Sequence, residues 1–246
     1  LYFMSRDGYL PMQIYNILAQ TDPEAPKAQY LYSSRKALMP YIIRNTFDLY
    51  DYPTVIVNQS AKTMKEHLSF CMRNVTEEEY KTVLKSYSID GEKRFSNKQE
   101  YNAFIKVFIE EFYSKKVHDA AKKLCSDYYS QIEKDSATVD MGYSGRIQGA
   151  LSEAVGHGVN VFFVHSDSNQ YIKESLNHNF EIYSFYGCTP CMSGVIREHI
   201  LSSFEPSCIG FTFDNGQVTP VFEQDDKDVQ DKKVLEQIQR GAIEFA

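Results

Sequence analysis

The residues best suited by type and spacing to do chemistry stand together at Asp140-Met141-Gly142-Tyr143-Ser144-Gly145-Arg146. An apolar run ends in an aspartate and is followed by two glycines, a hydroxyl and an arginine, where a helical pattern begins. A strand-to-helix turn of this composition can bind phosphate. Glycines let the backbone approach an anion, free N–H groups and the helix dipole face it, and Ser144 and Arg146 add donors. Asp140, accepting two hydrogen bonds at the strand tip, suits a vicinal sugar diol. The plain alternative is that Gly142 and Gly145 only form a turn and Ser144 only caps a helix. No Gly-Lys-Ser/Thr follows, as a Walker A loop requires, and the spacing departs from the G-x-G-x-x-G of dinucleotide sites.

Two more polar exits follow apolar runs. At Arg6-Asp7-Gly8, Asp7 reads as a general base, as a metal ligand, or as a partner of Arg6 that turns the chain. At Ser34-Arg35, the guanidinium could fork onto a pyrophosphate or form a surface ion pair. A nucleophilic aspartate of the HAD phosphatase type needs a second aspartate two residues on, and position 9 is Tyr9. Cys188-Thr189-Pro190-Cys191 has redox spacing but follows a late strand, and no second pair completes a zinc site, so both are read as structural thiols. The six histidines show no ligand spacing and no Ser/Asp partner pattern, which leaves a hydrolase triad unsupported. Glu205 and Glu223 could reach a site edge or be merely solvated.

The elements that must position these residues alternate. Leu1–Ser5 reads as a buried strand and Pro11–Ala19 as a helix; Gln29–Ser33 reads as a second strand and Lys36–Tyr50 as a second helix. A chain that opens inside a strand is expected to have been cut from a longer one; Leu1-Tyr2-Phe3 would otherwise be a tag remnant, and the native reading is preferred because these residues complete the strand. Residues 61–135 turn charged and amphipathic, as an inserted helical subdomain would be, between core segments 1–60 and 136–246. Ala137–Gly142 then returns to strand and tight turn, Ile147–Val155 to helix, and Val159–Val164 to buried strand. The Asn215-Gly216 pair predicts a hairpin between Cys208–Phe213 and Gln217–Phe222, and a helix runs from Lys227 to Phe245. The fold class is therefore α/β with a mainly parallel sheet. All three polar exits then open on the edge where ligands of open α/β sheets bind.

Composition narrows the partners. The chain has 246 residues, 26 Lys+Arg against 33 Asp+Glu, and a net charge of −7, so no basic stripe exists to neutralise a nucleic-acid backbone. No window reaches the roughly 20 apolar residues of a membrane span, and no basic, apolar and small-residue leader opens the chain. A cytoplasmic location follows, peripheral at the inner membrane if an acceptor or partner domain holds it there. The five cysteines, an odd number in a chain long enough to need no staples, read as free thiols.

Four segments, Leu1–Leu10, Tyr30–Leu38, Val139–Gln148 and Gly216–Glu223, resemble in order those of a bacterial polysaccharide-assembly module that looks like a phosphoribosyltransferase and often lies next to a HAD-type phosphatase. The resemblance spans nearly the whole chain apart from the helical insertion. It implies a fold like that of type I phosphoribosyltransferases and transfer of ribose 5-phosphate from phosphoribosyl pyrophosphate (PRPP) to a growing capsule or O-antigen glycan. The neighbouring phosphatase would then remove the 5-phosphate. The implied site has Arg6, Asp7 and Arg35 at the reacting bonds. Ser34, Asp140, Gly142, Tyr143, Ser144, Gly145, Arg146 and Gln148 would bind substrate, and Mg²⁺ is the expected cofactor, with Asp7 an open candidate as its ligand. One departure stands out: type I enzymes carry paired acidic residues before the phosphate loop, whereas Val139 precedes Asp140 here. The alternatives are a HAD-linked phosphoester hydrolase and a non-catalytic acceptor-binding or scaffold module.

Overall fold

The computed structural model describes residues 1–50, 77–90, 93, 97–142, 144–166, 174–186, 194–223 and 229–246. It divides into two compact units, Leu1–Tyr41 with Lys122–Ala246, and Ile42–Ala121. The sequence placed the insertion at 61–135; the second unit begins and ends earlier in the chain.

The first unit is built on a five-stranded sheet in the order β2-β1-β3-β4-β5, with every neighbouring pair parallel. The strands are β1 (Tyr2–Met4), β2 (Gln29–Leu31), β3 (Ala137–Asp140), β4 (Asn160–His165) and β5 (Ile182–Tyr186). Tyr2, Phe3 and Met4 of β1 are all buried rather than alternating, so both faces of the sheet are covered at β1. From β1 the chain steps to one side to form β2 and returns to the other to form β3. The order therefore reverses between β1 and β3, and a crevice opens there at the carboxyl ends of the strands.

Helix α1 (Tyr9–Leu18) follows β1 and continues into a 3₁₀ turn at Ala19–Thr21. It starts two residues before Pro11, because a proline in the first helical turn gives up an N–H that has no intrahelical partner anyway. The continuous helix expected over Lys36–Tyr50 is instead two short ones, α2 (Met39–Ile42) and α3 (Thr46–Tyr50). Asn45 makes the break: its Oδ1 accepts from the N–H groups of Phe47 (2.8 Å) and Asp48 (3.2 Å), starting a new helix. In the second unit, α4 (Glu77–Ser86) and α5 (Lys98–Glu111) precede α6 (Lys115–Tyr129), which runs on into the first unit. Tyr101, Phe104, Ile105 and Phe108 of α5 recur at helical spacing and are all buried, with the Tyr101 hydroxyl donating to the Leu49 carbonyl.

Helix α7 (Arg146–Val155) connects β3 to β4 and stops at Gly156 in the left-handed region (φ 77°). Past β5 come α8 (Gly194–Leu201), then the antiparallel hairpin β6 (Cys208–Asp214) and β7 (Gln217–Phe222), and last α9 (Val229–Phe245). Asn215 and Gly216 take φ of 48° and 83°, as a two-residue hairpin turn requires. Among the described residues no helix is long and apolar enough to cross a membrane. Cys125 and Cys208 are buried, their thiols donating to the Ala37 and Gly210 carbonyls; Cys188 and Cys191 lie outside the described residues.

Candidate active site

Strand β3 ends by burying Asp140, 9% exposed, beside the first turn of α7. Gln148, the third residue of α7, is itself buried and donates from Nε2 to Asp140 Oδ2 (3.1 Å), while the N–H groups of Met141 and Gly142 also bond the carboxylate. Burial outweighs these bonds. It pushes the Asp140 pKa up to about 7, and the charge of Asp7 adds to the rise.

Asp7 arrives from the other side of the crevice, three residues past β1. The peptide bond between Ser5 and Arg6, on its approach, is cis. The Ser202 hydroxyl donates to Asp7 Oδ1 at 2.6 Å, and the Ser203 N–H donates to the Arg6 carbonyl at 3.0 Å, so the segment after α8 clamps this exit. Burial raises the Asp7 pKa, against the Ser202 bond and the Arg6 charge, which lower it. Asp7 thus stands within electrostatic reach of Asp140, two acids from different strand exits.

The glycine turn is held by close packing. A Cβ on Gly142 (φ 131°) would stand 2.1 Å from the His165 carbonyl oxygen at the end of β4, so only glycine fits. Gly145 takes φ 72° as the residue that starts α7, and no side chain caps the helix there. Ser144 and Arg146 flank it, each half-buried. Helix α7 thus begins at a glycine that offers no side-chain cap of its own, and its N-terminal dipole end favours an anion. Tyr143 lies outside the described residues.

The third exit is more structural in its contacts. Ser34 Oγ donates to the Cys208 carbonyl (2.5 Å) and accepts from the Ala37 N–H (3.0 Å), which ties the β2 exit to the hairpin. Lys36 and Glu223 make an ion pair across the same junction. Arg35, between Ser34 and Lys36 in sequence, is exposed.

Asp7 and Asp140 are thus brought together with Gln148 and Gly142. Ser34 and Arg35 sit on the β2 flank of the same sheet edge. Sequence reasoning missed Ser202 and Ser203, and it left Glu205 undecided. It also passed over Tyr30 and Tyr32, whose hydroxyls donate to Ser203 Oγ (3.2 Å) and Glu205 Oε1 (3.3 Å). The available signal was the pair of tyrosines at period-two spacing in a strand whose intervening residue, Leu31, is fully buried.

Among the described residues no group of three or more His, Cys, Asp and Glu could hold a metal by itself. The Asp7–Asp140 pair nevertheless fits Mg²⁺, which is commonly bound by one or two carboxylates with the remaining ligands from water and substrate phosphates. A cation there would also relieve the mutual repulsion that helps raise the Asp140 pKa. No protein-family model and no curated protein matches this chain.

Proposed function

We propose that the chain transfers ribose 5-phosphate from PRPP to a sugar hydroxyl of a bacterial surface polysaccharide and releases pyrophosphate. The observation that carries this reading is Asp140, buried at the tip of β3 within electrostatic reach of Asp7 and beside a glycine turn that opens into α7. One carboxyl pair and one anion site match a donor that presents a diol and a 5-phosphate.

In this reading the Gly142–Arg146 turn receives the 5-phosphate, and Asp140, oriented by Gln148, accepts from the ribose hydroxyls. Asp7 takes the proton of the acceptor hydroxyl as its oxygen bonds to C1 of the ribose. The bond between C1 and the pyrophosphate oxygen breaks, and pyrophosphate leaves with the electron pair. Mg²⁺, held by Asp7 and Asp140 with the donor's oxygens, would neutralise charge that develops on the leaving group. Arg6 and Arg35 are the cations nearest in sequence to that side of the crevice and are assigned to the same task. Ser202 keeps Asp7 turned towards the site. A HAD-type phosphatase, as a neighbouring domain or separate protein, would remove the 5-phosphate afterwards.

Calorimetric titration of PRPP with Mg²⁺ tests the donor, and pyrophosphate release on adding a glycan acceptor tests the transfer. Absence of binding heat would refute the reading. Release of inorganic phosphate from ribose 5-phosphate would point instead to a hydrolase.

A further inference from the structure

On the β2 side of Asp7 a row of aromatic rings leads away from the crevice. Tyr9 meets Tyr30 edge-on (centroids 6.3 Å, planes 83° apart), Tyr30 meets Tyr32 (5.4 Å, 82°), and Tyr32 meets Phe222 of the hairpin (5.1 Å, 80°). Strand β2 is the sheet's edge, and the row runs from the start of α1 across it to β7. The three tyrosines are half-buried and Phe222 is 37% exposed, so the row keeps a face towards solvent.

Glu205 lies against this row, poorly served with hydrogen bonds. Its Oε1 accepts from the Tyr32 hydroxyl at 3.3 Å, long for a hydroxyl on a carboxylate, where about 2.5–2.7 Å is usual. Its Oε2 is buried with no hydrogen-bond partner among the described residues. A carboxylate offers about four lone-pair sites, so most of this one's accepting capacity is unused. Burial, and after it the Glu205 charge, raise the Tyr30 and Tyr32 pKa values, and Tyr30 also feels Asp7. Asp140 and the glycine turn occupy the opposite flank of Asp7.

We infer that Glu205 and the Tyr9–Tyr30–Tyr32–Phe222 row form the acceptor subsite, taking a sugar of the glycan with its ring against the aromatic row and its hydroxyls on the Glu205 carboxylate. Aromatic faces and an under-used carboxylate are together the chemistry that recognises a carbohydrate, since the apolar C–H face of the sugar covers a ring while neighbouring hydroxyls donate to one anion. The inference rests on the ribosyl-transfer reading for its word "acceptor". Its content, that this edge binds sugar, stands independently of the donor.

The test uses the full chain and three probes, the methyl glycosides of galactose, glucose and mannose at millimolar concentration, read by saturation-transfer NMR on irradiating the aromatic protons. The wild type should transfer saturation to at least one glycoside without PRPP present. Glu205→Gln keeps the shape and removes the charge, and should bind that glycoside about tenfold more weakly, as expected when a hydrogen bond to a charged group becomes a neutral one. Phe222→Ala should weaken it similarly, and PRPP titration should be unchanged in both variants. An unfolding midpoint for Glu205→Gln equal to that of the wild type checks that its loss of binding is not a packing defect. A wild type that binds no glycoside, or variants that bind it as well as the wild type does, overturns the inference. If glycoside binding follows these expectations while PRPP fails to bind at all, the donor reading falls and the sugar site remains.

Discussion

Replacing Asp140 by Asn should change how stability depends on pH. The Asp140 pKa lies near 7 in the folded chain against 3.8 for an exposed aspartate, raised first by burial. A folded-state pKa above the unfolded one means that the native state holds the extra proton between these two values. Wild-type stability should therefore fall as pH rises from about 4 to about 7 and then level off. At 1.36 kcal/mol per unit the full loss from this group is about 4 kcal/mol, an upper figure. Asparagine carries no titrating proton, can accept from the Met141 and Gly142 amides, and can meet Gln148 once that amide turns over. The advantage of Asp140→Asn over the wild type should then grow across this window. Asp7 titrates in both proteins and in the same sense, so the difference between the two curves reports mainly on Asp140. Urea unfolding at pH 4.5, 6 and 8, followed by circular dichroism, measures it directly. A difference that stays flat, or that shrinks towards pH 8, would refute the claim that Asp140 is a buried acid uncompensated by its three donors.

Gly142→Ala should cost stability in excess of about 1–3 kcal/mol, since strained backbone is joined by a collision with the His165 carbonyl; an unshifted urea midpoint would contradict the packing described. Asp7→Asn should transfer about 10²–10⁴-fold more slowly, as expected for a lost general base, and should bind PRPP more weakly with partial recovery at high Mg²⁺; unchanged turnover would remove Asp7 from the reaction. In Ser202→Ala the bond that lowers the Asp7 pKa is gone, so the acid limb of the transfer profile should move to higher pH; a shift the other way would show that Ser202 does not stabilise the charged form. Ser144→Ala and Arg146→Ala should each weaken PRPP binding by about 1–3 kcal/mol, the cost of a hydrogen bond to a charged group, and unchanged calorimetric affinity in both would undo the phosphate-turn assignment.

The sheet was legible because its strands are short apolar runs with polar exits, and the Asn-Gly hairpin because φ above zero at two successive residues is a local demand. The break at 43–45 was written in Asn45, whose capping role is visible only once a helix start is sought inside what looks like one helix. Asp7, Asp140 and the glycine turn were readable as strand exits on one sheet edge, but the closeness of Asp7 to Asp140 was not, since it depends on β1 and β3 being neighbours although residues 32–136 separate β2 from β3. Ser202 carries no motif at all. A serine one residue beyond a helix looks like any loop residue, and its partner lies 195 positions away in sequence.

The same strand order bears on how the chain acquires its shape. Strand β1 can pair with β2 early, across a short connection, but its other edge stays open until β3 has been made and brought back across it. An apolar inner strand with one unpaired edge is a template for pairing with another chain. Such long-range parallel pairing is slow, because loop closure must precede the contacts that reward it. Molecules caught in that interval expose Tyr2, Phe3 and Met4 together, so aggregation during refolding should depend on how quickly the intervening unit lets β3 return.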